Sequence, residues 1–262
     1  MKQIAIFCFL LGQVLTAQAA VVGKTVEYRE GDTLMKGYLA YDDAIEGKRP
    51  GILVVHEWWG LNDYARQRAE QLAGMGYTAL AVDMYGDGKQ AGHPDDAGKF
   101  AGEVRKNMPM AQARFEAAKA LLASQPSVAS DSISAIGYCF GGGVVLEMAR
   151  RGVDLDLVAS FHGSLGTEHP AQKGDIKGEV LVFNGADDPF VKPEQVEAFI
   201  DEMETAGVSY SFTNYEGAKH SFTNKGADAF GEKFGLPLAY NAAADSQSWA
   251  ALTAALKTLY PR

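Results

Sequence analysis

Outside its first twenty residues the chain has one cysteine, Cys139, in the stretch IGYCFGGGVV at residues 136–145. It stands where strand-like sequence turns abruptly into helix-like sequence, and Gly137 to Gly141 read G-x-C-x-G. A residue at such a turn projects above a sheet on strained backbone, and small neighbours let the helix pack close behind it. The free N–H groups of the helix start favour a thiolate and stabilise an oxyanion. The plain alternative is a small buried cysteine in a glycine-rich turn. Two other residues complete a possible chemistry. Asp188, in FNGADDPFV, follows one apolar run, and His220, in GAKHSF, follows the next. An imidazole can take the thiol proton while a carboxylate holds its tautomer, which is the requirement for nucleophilic acyl transfer. Asp187 competes for the acid's role, and one of the pair is expected to serve the turn before Pro189.

His56-Glu57-Trp58-Trp59-Gly60 follows another apolar run. It lacks the second histidine of an H-E-x-x-H zinc site, because its fifth residue is Gly60. Glu57 is expected to point into the same cleft as Cys139, and Trp58 and Trp59 are either core aromatics or walls of a substrate pocket. His93, His162 and His169 have no metal-ligand spacing, so neither metal nor cofactor is expected. The glycines after Cys139 do not have the G-x-G-x-x-G spacing of a phosphate loop.

The elements that must position these residues alternate. Apolar runs at 51–56 and 78–84 read as strands buried on both faces, 133–138 as the strand before the cysteine, and 155–162, 179–185 and 208–215 as the remaining central strands. Helical periodicity marks 63–74, 110–123, 144–150, 194–207 and 246–260. This order predicts an α/β domain with a mostly parallel sheet, helices on both faces, and a site beyond the strand C-termini. Chain order nucleophile, acid, histidine is that of the α/β-hydrolase fold.

The first residues read as an export signal: Lys2, an apolar run over 4–15, then Ala17-Gln18-Ala19. Cleavage after Ala19 leaves residues 20–262 as one domain and removes Cys8, so no internal disulfide is possible. A bacterial periplasmic location is expected. Loss of Lys2 makes the formal charge of −9 one unit more negative. That acidic balance argues against nonspecific nucleic-acid binding, and no stable membrane association is expected. A monomer is expected, with a dimer as the alternative.

HEWWGLNDY (56–64), GYTALAVDMYG (76–86), GYCFGG (137–142), GADDPFV (185–191) and AKHSF (218–222) together resemble the dienelactone hydrolase family. The resemblance spans roughly residues 50–225 and extends to the final helix. It implies Cys139 as nucleophile, His220 as general base and acid, and Asp188 as triad acid. Val191, three positions after Asp188, favours it over Asp187. Glu57 would be an auxiliary carboxylate that holds the thiol at rest, and the backbone N–H groups of Trp58 and Phe140 would form the oxyanion hole. Trp59, Tyr85, Lys89, His162, Phe222 and Asn224 are the candidate pocket residues.

Two departures bear on the substrate. Relatives that act on dienelactone carry an arginine four residues after the histidine, where this chain has Asn224, and a neutral amide does not replace a bidentate guanidinium. After Met84 the chain offers Lys89 as a cation but no arginine before Arg105. The expected substrate is therefore a small periplasmic ester or lactone other than dienelactone. A non-catalytic binding protein on the same fold and a thiol-dependent acyltransferase are the alternatives.

Overall fold

The computed structural model describes residues 21–261. The expected signal peptide, 1–19, lies outside them. Eight strands form one sheet: β1 (Val21–Glu30), β2 (Thr33–Asp42), β3 (Arg49–Val55), β4 (Thr78–Val82), β5 (Val128–Tyr138), β6 (Leu157–Phe161), β7 (Glu179–Gly185) and β8 (Tyr210–Tyr215). Their spatial order is β1-β2-β4-β3-β5-β6-β7-β8. From β4 to β8 every pair is parallel, while β1 pairs with β2 and β2 with β4 in antiparallel fashion.

Side chains of a strand alternate between faces, so a run that is apolar throughout feeds two cores. Leu53 and Val55 of β3, Leu80 and Val82 of β4, and Val180 and Val182 of β7 enter one core. There they meet α2 (Pro94–Lys106), α3 (Met108–Ala123), α4 (Phe140–Arg150) and α5 (Pro193–Ala206). Ile52, Val54, Ala79, Ala81, Leu181 and Phe183 enter the other core, beneath α1 (Asp63–Gly74) and α7 (Ala242–Leu259). A short helix, α6 (Ala227–Phe234), follows the histidine loop. The predicted helices and strands are all present, with ends shifted by a few residues, but 208–215, expected among the central strands, forms β8 at the edge of the sheet, where most of its side chains are only partly buried or exposed. The β1–β2 hairpin, α2 and α6 were not foreseen.

The parallel register places the site. Val55 lies opposite Gly137, Tyr138 opposite Phe161, Phe161 opposite Phe183 and Gly185 opposite Tyr215. Strands β3, β5, β6, β7 and β8 thus finish at nearly one level. Glu57, Cys139, His162, Asp188 and His220 follow these ends within a few residues.

Candidate active site

Cys139 lies between β5 and α4 with φ 53° and ψ −115°, a strained left-handed conformation for a residue with a side chain. Close packing behind the elbow requires the flanking glycines. A Cβ on Gly137 would stand 2.1 Å from the Gly141 carbonyl oxygen, and one on Gly141 would stand 2.3 Å from that of Val55. Both obstacles are backbone, so neither can swing aside. Cys139 is partly exposed, and the Phe140 N–H that follows it is the first of α4, where intrahelical partners are lacking.

His220 Nε2 lies 3.0 Å from Cys139 Sγ. Its Nδ1–H donates to Asp188 Oδ2 at 2.7 Å, because a carboxylate can only accept. Burial disfavours a charged imidazole here. The sulfur's negative charge and the Asp188 hydrogen bond outweigh it and raise His220 to about 10. The pairing thus favours a protonated His220 beside the sulfur. Asp188 is buried and also accepts the Phe190 N–H through Oδ1 at 2.8 Å, so it both makes the turn and orients the histidine. Asp187 is exposed and its backbone N–H donates to the Ala218 carbonyl. The Phe190 ring, 52 % exposed, packs edge-on against His220.

The expected place of Glu57 needs correction. It is buried beside the site, but it does not hold the thiol: Cys139 Sγ pairs with His220 instead. Ser221 Oγ donates to Glu57 Oε1 at 2.7 Å and Asn224 Nδ2 donates to Oε2 at 2.6 Å. Burial raises the Glu57 carboxyl above its usual range, although Ser221, Asn224, His220 and Arg68 pull it back in part.

Several candidate pocket residues also take other places. Asn224 is a buried clamp on Glu57, and its Oδ1 accepts the Gly226 N–H. Its amide suits two hydrogen-bond partners that a guanidinium would not match. Phe222 is fully buried in the core beneath α1 and α7. Trp59 is 2 % exposed and stacks on Phe230. His162 lies behind the elbow rather than on a pocket wall, with its Nδ1 accepting the Cys139 N–H at 3.1 Å. Tyr85 is buried, and its hydroxyl donates to the Trp58 carbonyl at 2.9 Å, bracing the loop after β3. Lys89 is exposed on a second cleft, which Tyr85, Phe100 and Met110 also line.

The larger cleft was not foreseen. It measures about 800 Å³ and starts at Phe140, Gly143 and Val144 on the first turn of α4. Arg105, Met108 and Pro109 form one wall, and Ser164 and Thr167 another. The Arg105 guanidinium sits 5.7 Å from the centre of the Phe140 ring. Ser221 and Thr223 were missed too. Both belong to the histidine's own loop, and their short hydroxyls beside a catalytic-type histidine were the available signal.

The arrangement can carry out acyl transfer to the sulfur and then to water, with the same imidazole serving both half-reactions. Its architecture recurs in solved structures. A dienelactone hydrolase-like promiscuous phosphotriesterase, P91, from metagenomic libraries is 36 % identical, covers 92 % of this chain and 99 % of its own, and superposes with a TM-score of 0.85. A second structure, m3DLH, is 38 % identical over the same shares with a TM-score of 0.87. A protein named usf from Aquifex pyrophilus is 29 % identical over 209 residues, which cover 78 % of this chain and 88 % of that protein. The model of the Dienelactone hydrolase family matches residues 35–260. That match runs from within β2 to just past α7 and takes in the cysteine elbow and both of its partners, so the chain belongs to the dienelactone hydrolase family.

Proposed function

We propose that the protein is an exported periplasmic hydrolase of activated esters or enol lactones that works through an acyl-thioester on Cys139. The observation that carries this reading is the connected line Sγ, Nε2, Nδ1, Oδ2, with contacts of 3.0 and 2.7 Å. The Cys139 thiolate attacks the carbonyl carbon while the N–H groups of Phe140 and Trp58 receive the developing oxyanion, each worth about 3 kcal/mol. As the C–O bond breaks, His220 delivers its Nε2 proton to the leaving oxygen. Neutral His220 then takes a proton from water, hydroxide adds to the thioester, and thiolate and acid separate. Asp188 keeps the imidazole in one tautomer throughout.

A thiolate is itself a good leaving group, so the first tetrahedral intermediate reverts unless the departing oxygen is stabilised. That favours aryl esters and enol lactones over simple alkyl esters. The cleft from Phe140 to Thr167 offers room for the larger portion of the substrate, with Arg105 in one wall. The export reading rests on Lys2, the apolar run and Ala17-Gln18-Ala19. Among the described residues no helix is long and apolar enough to cross a membrane. Among the described residues only four large apolar side chains, Val21, Ile45, Phe190 and Leu259, are well exposed, which supports a monomer.

The test compares p-nitrophenyl acetate and ethyl acetate as substrates of wild type and Cys139→Ala. The reading expects turnover of the aryl ester only, abolished by the substitution. Equal turnover of both esters, or activity that survives in Cys139→Ala, would refute it. Intact mass of the protein recovered from the periplasm is expected to begin at Ala20; retention of residues 1–19 would refute export by this signal.

A further inference from the structure

Four described non-glycine residues have positive φ: Asp87, Cys139, His162 and Ser221. Three of them surround the Sγ–Nε2 contact, for Cys139 carries the sulfur, Ser221 follows His220, and the His162 ring packs edge-on against the His220 ring with centroids 5.4 Å apart. Backbone of this kind costs about 1–3 kcal/mol per residue and persists only where its surroundings fix it.

His162 is one of those fixtures. It immediately follows β6, its φ is 41°, and it is fully buried. Its Nδ1 and the Phe161 carbonyl share the Cys139 N–H, at 3.1 and 3.0 Å. Since Nδ1 accepts, Nε2 carries the hydrogen and donates to Thr223 Oγ1 at 2.7 Å. Thr223 is three residues beyond His220. Its hydroxyl also pairs with Tyr64 Oη at 2.6 Å, and its carbonyl accepts from Arg68 at 2.7 Å. Burial keeps His162 neutral, well below the ordinary imidazole range, and the positive charges of His220 and Arg68 act in the same direction. One neutral imidazole thus makes a hydrogen bond to the nucleophile's backbone and another to the loop that carries the base.

We infer that His162 is a positioning residue, whose bonds to Cys139 N–H and Thr223 Oγ1 set the approach of Cys139 Sγ to His220 Nε2. It reaches no reacting atom, so its effect falls on the geometry of the pair. The inference rests on the reading of Cys139 as nucleophile.

Three variants test it. In His162→Asn the side-chain oxygen stands near the Nδ1 position and preserves the acceptor for Cys139, and asparagine tolerates left-handed backbone. His162→Gln places its amide near the Nε2 position and loses that acceptor. Thr223→Val removes the far anchor and leaves His162 in place. Each is assayed below its own melting temperature for kcat and KM on p-nitrophenyl acetate and for Cys139 alkylation by iodoacetamide. His162→Gln is expected to lower kcat about 10²-fold while KM changes less than about threefold. It is also expected to slow alkylation near about pH 6 far more than above the ordinary thiol range of ~8.5. His162→Asn should recover most of the loss, and Thr223→Val should fall between them. A merely structural role would lower the melting temperature yet leave kcat and the alkylation profile of the folded variants unchanged, and that result overturns the inference. So does an asparagine variant as impaired as the glutamine one. If His162→Gln does not fold, wild-type kcat and alkylation in Thr223→Val overturn it alone. Activity surviving in Cys139→Ala would instead refute the nucleophile reading, which separates the two failures.

Discussion

Two buried carboxylates face the histidine loop, residues 220–224, and the structure treats them differently. Asp188 bonds to the His220 ring, and through it to the sulfur. Glu57 bonds to the side chains of Ser221 and Asn224, on the same loop. Asp188 has as its partner the His220 ring, whose proton affinity is raised, so its charge is compensated inside the reacting line. Glu57 has two neutral donors as its hydrogen-bond partners, so burial still raises its carboxyl. Nearness to a nucleophile does not by itself put a carboxylate into the chemistry; the partner of its oxygens decides.

Substitutions can break this contrast. The largest effect is expected from Asp188→Asn, where an amide donor would face the Nδ1 side and favour the wrong tautomer. Steady-state kinetics should show kcat reduced by about 10³–10⁴-fold. A loss below tenfold would mean that Asp188 does not orient His220. Glu57→Gln is expected to cost about tenfold in kcat, since it acts only through the loop. A loss as great as that of Asp188→Asn would place Glu57 in the reacting line.

Stability against pH sharpens the same comparison. The folded Glu57 carboxyl titrates above its unfolded value, near ~4.3. A raised carboxyl favours folding below the unfolded value, and that contribution is lost as pH rises through the folded value. Relative to Glu57→Gln, the wild type should therefore lose melting temperature as pH rises from about 4.3 toward neutrality. Thermal melts across that range check the sign. A difference that is constant with pH, or that moves in favour of wild type, would show that the Glu57 carboxyl is not raised.

Smaller effects follow at the clamp. Asn224→Ala leaves a Glu57 oxygen without its donor and should cost about 1–3 kcal/mol in stability. It should leave the preference between neutral and carboxylate-bearing esters unchanged. A clear shift in that preference would put Asn224 back on the substrate. Asp187→Asn, at an exposed position, is expected to leave kcat within about twofold of wild type.

The legible parts of the fold were those whose local pattern records burial. The runs in β3, β4 and β7 are apolar throughout because both faces are covered, and the elbow is legible because backbone contacts forbid a Cβ on Gly137 and Gly141. The β1–β2 hairpin was missed because β1 is an edge strand, largely exposed, whose apolar residues do not form a run. The pair Gly31-Asp32 between Glu30 and Thr33 was its available signal. Helix α2 buries only Ala97, Ala101 and Val104, too little apolar area to stand out from a polar stretch. The triad was legible because chain order and strand ends determine it. The partners of Asn224 and His162 were not, because each meets a group far away in the chain. Asn224 reaches across 167 residues to Glu57, and His162 meets a backbone N–H that 23 residues separate from it. Spacing along the sequence encodes neither contact.

The central claim is that Cys139 carries the acyl group. Acid quench of the enzyme during turnover of p-nitrophenyl acetate, followed by peptide mass mapping, tests it most directly. The account predicts one acetyl group on the peptide that contains Cys139, which disappears on treatment with neutral hydroxylamine as a thioester does. An acetyl group found instead on Ser221 or His220, with none on Cys139 at any quench time, would contradict it.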